Sequence, residues 1–178
     1  MKAARGFTVL ELVIVVAVAG IVASITIPAL IRGRVAANES ATIGDIRTLI
    51  SAQSAYRTVN SGFYDSNLDC LVDPDGCVPF YPTSAPSFLD STLASQQSKA
   101  GYNRLFQGGP LPANTPTTAS SSSTLSYRYD ATAVTVGLTG VRGFAGDFTD
   151  RICFTPDGAP VPAGVTSSQL PPNCQRLR

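Results

Sequence analysis

Glu11 is the only charged residue among the twenty-five from Phe7 to Ile31. A carboxylate in so apolar a run has two chemical uses. It sits at the polar edge of a bilayer, where its cost is small, or it awaits a cation with which to pair. The other groups with chemistry are four thiols, Cys70, Cys77, Cys153 and Cys174, all after the apolar run. An even number of cysteines behind an export-type N-terminus points to disulfides. Three pairings are possible; Cys70 and Cys77 bracket the turn-rich hexapeptide LVDPDG, which would draw their ends together and leave Cys153 and Cys174 for each other. The competing reading is buried free thiols acting as small hydrophobes.

Catalysis finds little material. The chain has no His, which removes the commonest general base and metal ligand, and it carries no GxSxG, P-loop or dinucleotide fingerprint. No CxxC pair occurs either, which weakens zinc and thioredoxin-type readings. The formal charge of +1 and the absence of a basic run exclude an electrostatic footprint for nucleic acid. Only 14% of the 178 residues are charged, which suits a domain outside the cytoplasm or one buried in an assembly. We expect no enzyme and no cofactor.

The elements that position these groups follow from periodicity. Residues 12–31 form twenty uncharged positions, enough for a helix that crosses the ~30 Å hydrocarbon layer. After Arg32 and Arg34 the pattern becomes amphipathic, with Ile43, Ile46, Leu49, Ile50 and Tyr56 on one helical face. Glu39, Asp45, Arg47 and Arg57 fall between them and are expected to face water or a neighbour. Asn60-Ser61-Gly62 is a stop signal, and Pro28 is expected to bend the helix. Residues 61–124 read as a loop region, with a short helix within 87–99 and an exposed Ser/Thr tract at 115–124. LSYRY, AVTVGL and DRICFT read as three strands of an antiparallel meander, with Gly140–Asp147 as a linker. The aromatics Tyr56, Phe63, Tyr64, Phe80 and Tyr81 are assigned to the core, with adhesive contact or an electron-hopping path as the alternatives. The expected fold class is α+β, a long N-terminal helix, half transmembrane and half amphipathic, on a small antiparallel sheet.

Gly6-Phe7-Thr8-Val9-Leu10-Glu11, preceded by a short basic leader and followed by the apolar run, resembles the N-terminus of the type IV pilin and pseudopilin superfamily. The close resemblance covers about the first 60 residues, and the remainder matches only in layout. It implies a prepilin peptidase that cuts between Gly6 and Phe7 and N-methylates the new amine of Phe7. It further implies that Phe7 and Glu11 are assembly residues, the Glu11 carboxylate of one subunit pairing with the Phe7 amine of a neighbour. Pro28 stands where pilins commonly kink this helix. Some pseudopilins bind calcium in a C-terminal loop, which makes Asp147 and Asp150 of GDFTD the candidate ligand pair. Solvated loop carboxylates are the plainer reading of both, and Asp65, Asp69, Asp73 and Asp75 lack EF-hand order.

The expected organisation is a leader at 1–6, a transmembrane and assembly helix at 7–31, and an extracytoplasmic head at 32–178. Within the head, amphipathic helix runs to about 60, loops occupy 61–124, and the sheet and C-terminal loop occupy 125–178. The implied function is the subunit of a type IV pilus serving adhesion, motility or DNA uptake. The alternatives are the major pseudopilin of a type II secretion system and a membrane-tethered binding or enzymatic domain. Expected partners are further copies in a helical homopolymer, the peptidase, an inner-membrane platform with its ATPase, and lipid before assembly. The expected location is the bacterial inner membrane, then an extracellular filament or a periplasmic pseudopilus. Ordinary signal cleavage at AGIVAS is the remaining alternative for the N-terminus.

Overall fold

The computed structural model describes residues 6–177, so the basic leader positions Lys2 and Arg5 lie outside the described residues. Helix α1 (Val9–Val59) is one continuous element of 51 residues, about 75 Å at 1.5 Å per residue. It passes through Pro28, whose missing N–H leaves the Ser24 carbonyl without its helical donor. It ends at the expected stop: Asn60 N–H still reaches the Tyr56 carbonyl, and Gly62, at φ 88°, returns its N–H to the Arg57 carbonyl. A left-handed residue at this place closes a helix with least strain when it is glycine.

Beyond α1 come β1 (Tyr64–Asp65), α2 (Asp69–Val72), a 3-10 turn (Pro74–Gly76), α3 (Ser91–Ser95), β2 (Ser98–Lys99) and β3 (Tyr102–Gly108). The chain continues with β4 (Ser123–Thr124), β5 (Tyr127–Ala133), β6 (Gly143–Asp147) and β7 (Ile152–Thr155). The main sheet is antiparallel in the order β2-β3-β5-β6-β7, and β1 pairs with β4 separately. The α+β expectation holds: a long helix lies on an antiparallel sheet. Residues 156–177 cross the opposite face, so the head has three layers.

One face of the second half of α1, carrying Ile46, Leu49, Ile50 and Tyr56, packs into the main core with Tyr102, Tyr127 and Phe144. Along β6 the alternation is strict. Phe144 and Gly146 face α1, whereas Ala145 joins Cys153, Val161 and Leu170 under the C-terminal loop. A Cβ at Gly146 would stand 2.5 Å from Ile46 Cγ2 and 3.1 Å from Ile50 Cδ1, so glycine sets how closely helix and sheet approach. Gly146→Ala is therefore expected to cost about 1–3 kcal/mol by overpacking. Chemical denaturation checks this; an unchanged midpoint would show that the helix can slide away freely.

Several expectations are corrected. AVTVGL is not a strand: β5 ends at Ala133 and residues 134–141 form a turn-rich excursion. The segment expected as a linker holds β6 instead. Its glycines disguised it: Gly146 leaves room for Ile46 and Ile50 of α1, and Gly143 for the Ala159 carbonyl on the other face. β3 lies in the region expected to be loop, and α3 occupies only five residues of 87–99. The Ser/Thr tract is partly interior. Ser120, Ser123 and Thr124 are buried, with Ser120 N–H donating to Asn60 Oδ1 at 2.7 Å and Asn60 Nδ2 to Ser123 Oγ at 3.0 Å. Phe80 is not core: it is 94% exposed at φ 66°.

Glu39 and Asp45 do not face water. Glu39 is buried and accepts from Arg142 Nε at 2.8 Å and Nη2 at 2.6 Å, and from the Val141 and Arg142 amides at 3.0 and 3.1 Å. Asp45 forms ion pairs with Lys99 Nζ at 2.9 Å and with Arg104 Nη2 at 2.6 Å. Two helix carboxylates thus clamp α1 to the sheet, six residues apart. Arg47 and Arg57 are exposed as expected. Further along, Gln53 bonds both backbone groups of Asp65, and Tyr56 Oη donates to its carboxylate at 2.9 Å. Burial, then the nearby Asp65 charge, pushes the Tyr56 hydroxyl well above the ordinary tyrosine value.

Burial pushes the Glu39 carboxyl up, but the Arg142 guanidinium and the two amides outweigh it and hold it below the usual glutamate value. A group lowered in the folded state stabilises above its unfolded value, and that stability is lost as pH falls through the folded one. Glu39→Gln is expected to cost about 1–3 kcal/mol at pH 7. The deficit should shrink as pH falls below the ordinary glutamate range and through the lowered folded value, where the wild-type carboxylate itself protonates. Denaturation curves of both proteins at pH 7 and pH 3 check this; an equal gap at both would place the contribution outside the carboxylate charge.

Candidate functional site

The groups with functional potential gather at the N-terminus. Gly6, Phe7 and Thr8 precede α1, and Thr8 is its N-cap in an extended conformation. Glu11 occupies the third helical position. Its N–H donates to Thr8 Oγ1 at 3.2 Å, and its carboxylate accepts from Thr8 N–H at 3.3 Å and from Thr8 Oγ1 at 3.1 Å. This reciprocal capping box satisfies two orphan donors at the helix start, and a carboxylate there also meets the positive end of the helix dipole. Sequence reasoning missed it, although Thr8-Val9-Leu10-Glu11 carries the S/T-x-x-E signature. Glu11 thus has a local role within its own chain, and the box uses Oε2 alone.

The apolar run beyond the cap is left uncovered by the described residues. Phe7 is 75% exposed, and the large apolar side chains from Val9 to Leu30 are all more than half exposed. The helix is long and apolar enough to cross a membrane. The two hydroxyls within residues 12–31 are satisfied internally, Ser24 Oγ on the Ile21 carbonyl at 2.7 Å and Thr26 Oγ1 on the Val22 carbonyl at 2.8 Å. A polar group so bonded enters hydrocarbon at reduced cost.

The cysteines pair as expected, Cys70 with Cys77 and Cys153 with Cys174, with Cα separations of 5.5 and 5.8 Å. The first closes the loop that carries α2 and the 3-10 turn; the second ties the C-terminal loop to β7. Asp147 and Asp150, the expected calcium pair, stand in different surroundings. Asp147 is fully buried, and its carboxylate accepts from Thr149 N–H at 3.1 Å, Leu170 N–H at 3.0 Å and Arg151 Nη2 at 3.2 Å. Thr149 Oγ1 adds a further bond to it. Asp150 lies exposed in the following turn. Asp147 therefore staples the C-terminal loop, with Arg151 as its cation. Among the described residues no group of three or more His, Cys, Asp or Glu side chains gathers at one place.

A hollow of about 460 Å³ opens between β3, β5 and the C-terminal loop. Its charged floor is spoken for, since Arg128 donates through Nε and Nη2 to Asp130 and through Nη1 to the Pro162 carbonyl at 3.0 Å. Burial pushes the Asp130 carboxyl up despite this pairing.

Residues 1–27 match the family described as the prokaryotic N-terminal methylation motif. The chain is 30% identical over 108 residues, 60% of its length, to the type II secretion system core protein G of Escherichia coli. It is 35% identical over 72 residues, 40% of its length, to the type IV wide pilus major component PilA4 of Thermus thermophilus. Core protein G of Klebsiella michiganensis is 32% identical over 83 residues, 44% of the chain. These alignments span 66, 54 and 58% of the relatives' own lengths, less than two thirds of each. No solved structure shows a significant match. With the methylation motif over its exposed N-terminal helix and a head of helix on antiparallel sheet, the chain is similar to type IV pilins and pseudopilins.

Proposed function

We propose that the chain is the structural subunit of a type IV pilus, anchored in the inner membrane as a precursor with its head outside the cytoplasm. One observation carries the reading: the first half of α1 is apolar on every side and uncovered. Full burial of each large apolar side chain is worth about 1.5–3 kcal/mol, so the run from Val9 to Leu30 represents tens of kcal/mol. A bilayer supplies that cover to a single subunit, and a bundle of identical helices supplies it in a filament. Exchange between the two requires little change in the head.

A peptidase cuts between Gly6 and Phe7, which lie ahead of the helix and exposed, and methylates the Phe7 amine. The Glu11 carboxylate then pairs with the Phe7 amine of a neighbour and sets axial register, as a buried polar residue does in a coiled coil. The inner-membrane platform and its ATPase drive the exchange; the chain performs no chemistry of its own. A second reading has its own support. The 108-residue alignment to core protein G, like the 72-residue alignment to PilA4, runs beyond the methylation motif, so it supports a type II secretion pseudopilus equally. Electron microscopy of sheared surface fractions from the native host, with immunogold against the head, tests both. Labelled surface filaments support the pilus. Their absence, together with lost export of secreted enzymes on gene deletion, supports the pseudopilus. Neither phenotype would overturn both readings.

A further inference from the structure

The excursion between β5 and β6 holds hydrophobicity that no core uses. Val134, Val136, Leu138 and Val141 are each 43–55% exposed, although they lie within eight residues of one another. The excursion is held firmly. Asn38 Nδ2 donates to the Thr139 carbonyl at 2.8 Å, Glu39 accepts from the Val141 and Arg142 amides, and Gly137 N–H meets the Gly140 carbonyl at 2.8 Å. Its tip reaches back along α1. Gly137, Val141 and Pro156 share a groove of about 420 Å³ with Ile31, Arg32 and Val35. Ile31 is the last residue of the uncharged run.

We propose that this excursion is a lipid-contacting foot, which rests in the headgroup layer of the bilayer while the chain is a membrane-anchored monomer. The inference builds on the reading that residues 12–31 cross a bilayer. Asn38 lies seven residues past Ile31, about 10 Å along the axis, and the groove extends back to Ile31 itself. The polar layer on each side of the hydrocarbon is about 5–8 Å deep. A foot fixed between these two levels meets the interface as soon as the span is inserted. Arg32 and Arg34 stand on the same turns of the helix and suit anionic headgroups. Asp157, in the neighbouring turn, is engaged by the Ala159 amide. The foot would set the angle between head and membrane, and it must leave the lipid when the subunit enters a filament.

The full chain in vesicles of phosphatidylethanolamine and phosphatidylglycerol tests this. Variants with one added cysteine each, Leu138→Cys, Ile21→Cys and Ser121→Cys, keep both native disulfides and carry an environment-sensitive fluorophore on the one free thiol; Ser121 is exposed near the far end of the head. Nitroxide lipids quench at headgroup depth or deep in the acyl region. We expect Ile21 to be quenched by the deep lipid, and Leu138 to show blue-shifted emission with at least twofold quenching by the shallow lipid. The Ser121 probe should respond to neither. Quenching at Ile21 with a Leu138 probe that behaves like Ser121 overturns the foot and leaves the membrane span standing. Quenching at neither overturns both. A Leu138 probe that is shielded only in assembled filaments also overturns the foot, in favour of a second copy on this surface.

Discussion

Glu11→Gln, expressed as the sole filament subunit, should give processed chains in the inner membrane and no filaments. Glutamine preserves the acceptor that Thr8 uses, so the capping box and the start of α1 persist. Membrane insertion should persist or improve, because a charge leaves the span. What is lost is the partner of the Phe7 amine in the filament core, and one unpaired buried charge costs about 3–5 kcal/mol. At about 1.4 kcal/mol per decade, that is at least a hundredfold in each subunit's association constant. Glu11→Ala should also abolish filaments, but it removes the cap as well, so the glutamine variant isolates the charge. Immunoblots of membranes beside electron microscopy of sheared fractions read both halves. Abundant normal filaments from Glu11→Gln would reduce Glu11 to a capping residue.

The second large effect is expected from Cys153→Ser with Cys174→Ser. The bridge closes a sequence separation of 21, for which loop-closure entropy gives about 3 kcal/mol. In a chain of this size that corresponds to a Tm lower by about 6–12 °C. More depends on the bridge than entropy. The strand-like contacts of the C-terminal segment, Phe154 N–H to the Gln175 carbonyl and Leu177 N–H to the Ile152 carbonyl, lie beside it. So does the Leu170 amide on Asp147. Freed of the bridge, the segment should fray and uncover Ala145, Val161 and Leu170. Removing Cys70 and Cys77 together, with a separation of only 7, should cost less. Thermal unfolding of the three proteins decides it. A smaller loss for the C-terminal pair than for the N-terminal pair would contradict the layered account of the head.

What was legible in the sequence is what local rules determine. α1 follows from a twenty-residue apolar run and a three-four periodicity, and its end from Asn60 to Gly62. The cysteine pairing follows from a turn between two of four residues. The errors share one cause, which is contact between distant segments. Gly146 looks like a linker residue until Ile46 stands against it from a hundred residues away. Valines at 134 and 136 promise a strand until the sheet is seen to end at Ala133. Glu39 and Asp45 sit between apolar positions as any solvated pair would, and only Arg142, Lys99 and Arg104 reveal them as clamps. The capping box was the opposite case, written locally and overlooked because Glu11 already had a more distant use.

The proposed function requires residues 7–31 to leave the membrane as the cut, methylated N-terminus of an assembling subunit. The most direct test is the intact mass, by mass spectrometry, of the chain recovered from filaments sheared from native cells. The expected chain lacks residues 1–6 and is heavier by one methyl group, with the modification on Phe7. A chain that retains residues 1–6 in assembled material, or one that begins after Ser24, would contradict it.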